Sequence, residues 1–231
     1  LTINEANTGY QLEFGIDSGD SGVDTTDSAT TSTFEVQPDS ASKLEFTQQP
    51  TDTTAGDYVD PAVTVDVQDQ YDNTVTSFSN DVSVSVNTGT GTLSGTTTVS
   101  PTDGVATFDS LNLTTADTYD LTASASDVSD ATSSQFSLSA AATDSVTIDP
   151  STDQTITSGG SVDFSATATD EFGNEKGYSD SGFTWDAGEG VSITGSGTLD
   201  ETSAGTYLVN ATVDGVTSDS TTVTVEAGSA S

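Results

Sequence analysis

Only oxygen chemistry is open to this chain. Its 231 residues include no histidine, cysteine or methionine, and two lysines, Lys43 and Lys176, stand against 37 acids. Ser-His-Asp and Cys-His nucleophiles cannot be assembled, nor can zinc, haem, iron–sulfur or blue-copper sites built on those ligands. Carboxylates remain, either paired across a cleft for glycoside hydrolysis or clustered around a hard cation. Asp and Glu occupy polar strand positions and turns throughout, and no pair stands apart from them, so the chain reads as non-catalytic. For a cation, the best-grouped oxygens are Asp69, Asp72 and Asn73 in one short turn and Asp170 with Glu171 in another. No EF-hand or nonapeptide calcium repeat is present. Calcium ligation and plain turn formation, in which Asp and Asn side chains bond nearby backbone amides, both account for these acids. No other cofactor is expected.

Two asparagines carry the N-glycosylation pattern, Asn112-Leu113-Thr114 and Asn210-Ala211-Thr212. Each lies between apolar residues, so strand alternation turns it outward, where a glycan could be carried.

The acids also decide what the chain does not bind. A formal charge of −35 leaves no means of displacing counterions from nucleic acid, and it disfavours anionic membrane surfaces. Asp outnumbers Glu by 28 to 9, and with lysine nearly absent this resembles proteins of salt-loving archaea. At about 1 M salt the Debye length falls to about 3 Å, which screens the carboxylate repulsion. An ordinary acidic secreted protein is the alternative.

The elements that position these residues are strands. Val, Leu, Ile and Phe total only 45 of 231 residues, a share that with this charge would suit a disordered chain. Their order argues otherwise, because Val63-Thr64-Val65-Asp66-Val67, Val82-Ser83-Val84-Ser85-Val86 and Phe164-Ser165-Ala166-Thr167-Ala168 alternate strictly, as half-buried strands do. The expected fold class is all-β, built as tandem immunoglobulin-like β-sandwiches without disulfides.

Internal repeats support that expectation. Leu1 to Phe14, Leu111 to Ala123 and Glu201 to Ala211 share one pattern, a turn leading to a tyrosine and then an alternating strand. Tyr10, Tyr119 and Tyr207 take the tyrosine-corner position of an immunoglobulin-like sandwich, where the ring fills the core and the hydroxyl bonds back to the turn. A second repeat pairs Val65 to Asn73 with Ala166 to Asn174, each a strand running into Asp-x-aromatic and a tight turn. The division that follows is residues 1–38 as the last two strands of an incomplete domain, a linker at 39–42, a domain at 43–139, a linker at 140–143, a domain at 144–227 and a tail at 228–231. Two expectations follow from the orphan hairpin. The chain is a window from a longer array, or residues 1–38 complete a neighbouring subunit by strand addition.

The stretch from Lys43-Leu44-Glu45-Phe46 through Pro61-Ala62-Val63-Thr64-Val65, Gly91-Thr92-Leu93 and Gly104-Val105-Ala106-Thr107-Phe108 to Thr118-Tyr119 resembles the prokaryotic invasin/intimin-type immunoglobulin-like repeats. Ser158-Gly159-Gly160, Phe172-Gly173-Asn174 and Ala204-Gly205-Thr206-Tyr207 look like a diverged second copy. The resemblance implies rods or spacers of a large surface protein, sometimes adhesive, with neighbouring domains, further copies or glycans as partners and an extracellular, cell-surface location. The alternative is a self-assembling surface filament or surface-layer subunit. Trp185 follows Phe183 in an alternating run and is expected in the second core rather than on a sugar-stacking face. No apolar stretch is long enough for a transmembrane helix.

Overall fold

The computed structural model describes residues 2–15, 28–188, 191 and 193–228. Alternation in sequence becomes alternation in burial. The strand Val63–Gln68 buries Val63, Val65 and Val67 and leaves Thr64, Asp66 and Gln68 half-buried, since successive side chains point to opposite faces of a sheet. Phe136–Ser139 and Thr221–Glu226 repeat the pattern.

Between residues 43 and 139, a three-stranded sheet runs in the order Val105–Phe108, Val63–Gln68, Lys43–Gln48. A larger sheet runs Thr53–Thr54, Phe136–Ser139, Asp117–Ser124, Val82–Thr88, Thr98–Val99, and the short strand Ala131–Thr132 also pairs with Asp117–Ser124. All pairings are antiparallel except that of Thr53–Thr54 with Phe136–Ser139. The inner faces share one core that includes Phe46, Val65, Phe108, Leu111, Tyr119, Leu121 and Phe136. Burying each such side chain contributes about 1.5–3 kcal/mol.

Residues 145–226 form a second unit. Its largest sheet runs Gln154–Thr157, Thr221–Glu226, Gly205–Val213, Thr184–Asp186, again with a parallel first pair. Ser145–Asp149 pairs with Ser165–Thr169, and Gly160–Asp163 with Thr198–Glu201. The core gathers Phe164, Phe183, Leu199, Val209 and Val223. Trp185 packs its ring 6.4 Å from both Phe164 and Phe183 and donates its indole N–H to the Asp180 carbonyl at 2.9 Å. Its polar edge is thus satisfied while its half-buried ring packs against the core.

The first segment is built differently. Asn7–Tyr10 pairs with Phe34–Val36, and Glu13–Gly15 with Ser28–Thr30, both antiparallel. Tyr10 and Phe34 stack at 5.8 Å, while Phe14 is 59% exposed. Among the described residues no apolar side chain before Leu44 is buried. Its described residues form two strand pairs and bury no apolar side chain.

Candidate functional site

The site with the most built-in chemistry is the joint between consecutive units, and it occurs twice. Asp69 and Asp170 each directly follow a strand at a tight turn, and both are buried. The turn needs a left-handed residue in its fourth position, which is Asp72 (φ 70°) in one copy and Gly173 (φ 85°) in the other. Glycine and, less readily, Asp or Asn reach that conformation.

Inside the turn, Asp69 Oδ1 accepts the N–H groups of Tyr71 at 2.8 Å and Asn73 at 3.0 Å. Asp170 Oδ1 accepts those of Phe172 at 2.9 Å and Asn174 at 2.8 Å. The other carboxylate oxygen reaches the connecting segment, so that Asp69 Oδ2 accepts the Asp39 N–H and Asp170 Oδ2 the Ala141 N–H, each at 2.8 Å. Burial pushes the Asp69 carboxyl up, but the Asn73 amide and the N–H groups of Asp39, Asn73 and Tyr71 outweigh it and bring it down to about 2. Asp170 is opposed by burial in the same way and lowered by the matching donors from Asn174, Ala141 and Phe172.

The asparagine faces the preceding unit. Asn73 Nδ2 donates to the Asn4 carbonyl at 2.7 Å, and its Oδ1 accepts the Ala6 N–H at 2.8 Å. Asn174 does the same to Thr114 and Ala116, both at 2.8 Å. A carboxamide sets an N–H and a C=O side by side and keeps a second N–H free, which matches a backbone C=O and N–H two residues apart. Nδ2 also donates to the buried aspartate, Asn73 to Asp69 at 2.9 Å and Asn174 to Asp170 at 2.8 Å, which fixes its orientation.

What the asparagine grips is held in shape by tyrosine. The Tyr119 hydroxyl donates to the Thr115 carbonyl at 2.6 Å and accepts the Gly91 N–H at 3.1 Å. Thr115 is the residue between the two that Asn174 holds. Tyr10 donates to the Glu5 carbonyl at 3.0 Å, between Asn4 and Ala6, with Gly9 at φ 81° absorbing the extra residue. Tyr207 donates to the Ser203 carbonyl at 2.9 Å. Tyr119 and Tyr207 each lie two residues inside a strand, Asp117–Ser124 and Gly205–Val213, rather than ahead of it.

An aromatic seat completes the second joint. A Cβ placed on Gly56 would meet the Phe172 ring at 2.7 Å, so the ring lies directly on the glycine. Gly56 has φ +86° and is anchored by its N–H to the Leu113 carbonyl at 2.8 Å. Both lysines also stand at joints: Lys43 pairs with Asp72 of the first turn, and Lys176 Nζ donates to the Ala141 carbonyl at 2.6 Å.

The calcium candidates therefore divide. Asp69 and Asp170 spend their oxygens on N–H donors, and Asp72 faces Lys43. Among the described residues no three Asp or Glu side chains converge as a metal-ligating group. Asn112 is half-buried between buried Leu111 and Leu113 and exchanges backbone bonds with Ser94. Asn210 is half-buried between Val209 and Ala211 in Gly205–Val213. Sequence reasoning singled out the Asp-x-aromatic turn but not the grip of Asn174, the Gly56 seat, or the amides of Asp39 and Ala141. The available signal was the recurrence of Asp and Asn four residues apart at the same place in two repeats.

No family model matches the sequence, and no curated protein does at a significant level. Solved structures do match in fold. The adhesin FdeC of Escherichia coli aligns with a TM-score of 0.52 at 20% identity, over 83% of this chain and 66% of its own. This is a tandem immunoglobulin-like fold. Two further similar structures are domains 5–6 of the S-layer protein SbsC (TM-score 0.34, 17% identity, 82% of this chain and 99% of that one) and the C-terminal fragment of intimin bound to the intimin-binding domain of its translocated receptor (0.32, 18%, 81% and 64%). The chain spans just under two thirds of the FdeC chain it matches.

Proposed function

We propose that this chain is a non-catalytic, extracellular segment of a cell-surface protein from a salt-loving archaeon, in which immunoglobulin-like domains are joined end to end as a spacer or adhesive stalk. The observation that carries this reading is the joint itself, which is built twice on the same Asp-x-aromatic-x-Asn turn. Each joint fixes the connector, the turn and the preceding corner with N–H bonds, and restricts how one domain turns on the next. A stalk needs this restriction, and a string of freely linked beads lacks it. The connectors at 39–42 and 140–143 serve the joints. The −35 charge serves solubility in concentrated salt, and glycans would be carried at Asn112, outside the strands at a backbone bridge to Ser94, and at Asn210 in Gly205–Val213, both half-buried.

The test is twofold. Small-angle scattering in high salt measures whether the chain is an extended particle with one dominant maximum dimension, and surface labelling of the source cells reports location. A compact or broadly distributed particle, or a protein reached by label only after lysis, removes this reading. Intact-mass measurement of native material decides the glycans.

A second reading is favoured by one feature, the first segment, whose described residues form two strand pairs, expose Phe14 and bury no apolar side chain. Two-stranded units are marginal in water, and their open edges accept further strands. Here residues 1–38 complete a neighbouring subunit, and the chain assembles as a filament or surface layer. Electron microscopy separates the two, with regular filaments or lattices for assembly and isolated rods for the stalk.

A further inference from the structure

We propose that Gly159, Thr202, Ala204 and Gly228 form an empty joint socket, shaped to receive one more immunoglobulin-like domain that enters after Gly228 and carries an Asp-x-aromatic-x-Asn turn. The proposal rests on the stalk reading and adds to it a site, a partner chemistry and a set of atoms.

Strand register gives the correspondence. Tyr119 pairs with Phe136 and Asp117 with Leu138; Tyr207 pairs with Val223 and Gly205 with Val225. Thr114 and Ala116, five and three residues before Tyr119, therefore correspond to Thr202 and Ala204 before Tyr207. The tyrosine hydroxyl fixes the intervening carbonyl in both corners, Thr115 and Ser203, so the third corner has the same internal brace. Thr202, Ser203 and Ala204 are exposed, and among the described residues no acceptor meets the Ala204 N–H. The Thr202 carbonyl accepts the Ser158 hydroxyl at 2.7 Å, which occupies one of its two lone pairs and leaves the other for an asparagine amide.

An independent observation comes from the glycine seat. Gly56 donates its N–H to the Leu113 carbonyl, and Gly159 donates its own to the Glu201 carbonyl at 3.0 Å; Leu113 and Glu201 each directly precede the gripped threonine. Both glycines are left-handed, at φ +86° and +81°. A Cβ on Gly56 would strike Phe172, whereas a Cβ on Gly159 would meet nothing within 4 Å. The second seat is formed and uncovered. The last contact is on the connector: Ala141, whose N–H is held by Asp170, lies three residues beyond Leu138, and Gly228 lies three beyond Val225, exposed and with open space around it. Carbonyl, amide, aromatic seat and connector amide thus recur together, each in the place the second joint uses.

The partner is a following domain rather than a second copy of this chain, because both Asp-x-aromatic-x-Asn turns here already hold their own preceding corners. The test extends the full chain by repeating residues 142–228 after Gly228. Amide hydrogen exchange at Ala204 is then read in the extended and the natural chain, with Ala116 as internal reference and the added copy's tryptophan signal reporting that it has folded. The expected result is at least tenfold slower exchange at Ala204 in the extended chain, reversed when the asparagine equivalent to Asn174 in the added copy is changed to alanine. Equal Ala204 exchange in both chains, with Ala116 still protected and the added copy folded, overturns the proposal. So does Ala204 protection in the natural chain that grows with protein concentration, because the occupant would then be a second copy. Neither result bears on surface location, which labelling of cells decides separately.

Discussion

Asn174 of the second sandwich holds Ala116 of the first. Its side-chain oxygen accepts the Ala116 N–H at 2.8 Å while its amide donates to Thr114 at 2.8 Å, and the partners lie about sixty residues away in sequence. Asn73 repeats the relationship with Ala6 and Asn4. Removing this side chain is the most direct perturbation of the architecture. Asn174→Ala deletes two bonds across the joint, each worth about 0.5–1.5 kcal/mol. We expect a wider distribution of particle dimensions in small-angle scattering and about tenfold faster exchange of the Ala116 amide, with both sandwiches still folded.

Acid should loosen the first joint. The Asp69 carboxyl is held at about 2, below its ordinary 3.8. A carboxyl lowered on folding contributes stability that is complete above its unfolded value and is lost as pH falls through the folded one. Exchange at the Asp39 amide should therefore accelerate as the pH drops from about 4 to about 2, beyond the intrinsic pH dependence. Asp69→Asn should abolish that response, because the carboxamide does not titrate.

Tyr119 and Tyr207 make the same carbonyl bond in different surroundings. Tyr119 is fully buried and also accepts the Gly91 N–H, so Tyr119→Phe leaves that donor and the Thr115 carbonyl without a partner. We expect a loss of about 1–3 kcal/mol for Tyr119→Phe and less than about 1 kcal/mol for the half-buried Tyr207→Phe, measured by chemical denaturation.

The two glycine seats offer a matched pair. Gly56→Ala and Gly159→Ala share the left-handed strain of about 1–2 kcal/mol. Only Gly56→Ala also drives a methyl into the Phe172 ring. Scattering should show a disturbed joint for Gly56→Ala and an unchanged one for Gly159→Ala, at similar losses of stability.

Salt should matter more than divalent metal. With 37 acids and two lysines, raising monovalent salt from 0.1 M to above 1 M shortens the screening length from about 10 Å to about 3 Å. The melting temperature should rise by about 10 °C or more, a gain of a few kcal/mol. Adding a chelator at constant ionic strength should leave melting unchanged, since Asp69 and Asp170 bind N–H groups in both joints.

Much of the fold is written locally. Alternation at Val63–Gln68 and Thr221–Glu226 determined strands and their buried faces, because side-chain direction in a strand depends on position alone. The hydroxyl bonds of Tyr10, Tyr119 and Tyr207 are local too, reaching carbonyls only four or five residues away, whereas of the three rings only that of Tyr119 is fully buried. Trp185 was legible for the same reason, sharing an alternating run with Phe183. The turn from Asp69 to Asn73 was legible as a turn, and its acids equally as oxygens that could meet a cation. Which of these the side chains serve depends on partners that sequence spacing does not reveal: Asp39 lies 30 residues from Asp69, and Ala116 lies 58 from Asn174. The sequence by itself determined strands, corners, turns and an acidic surface, all short-range consequences of residue order and composition. Only the tertiary structure decided what the two turns hold, because their side chains bond backbone groups that folding brings from the connectors and the preceding unit.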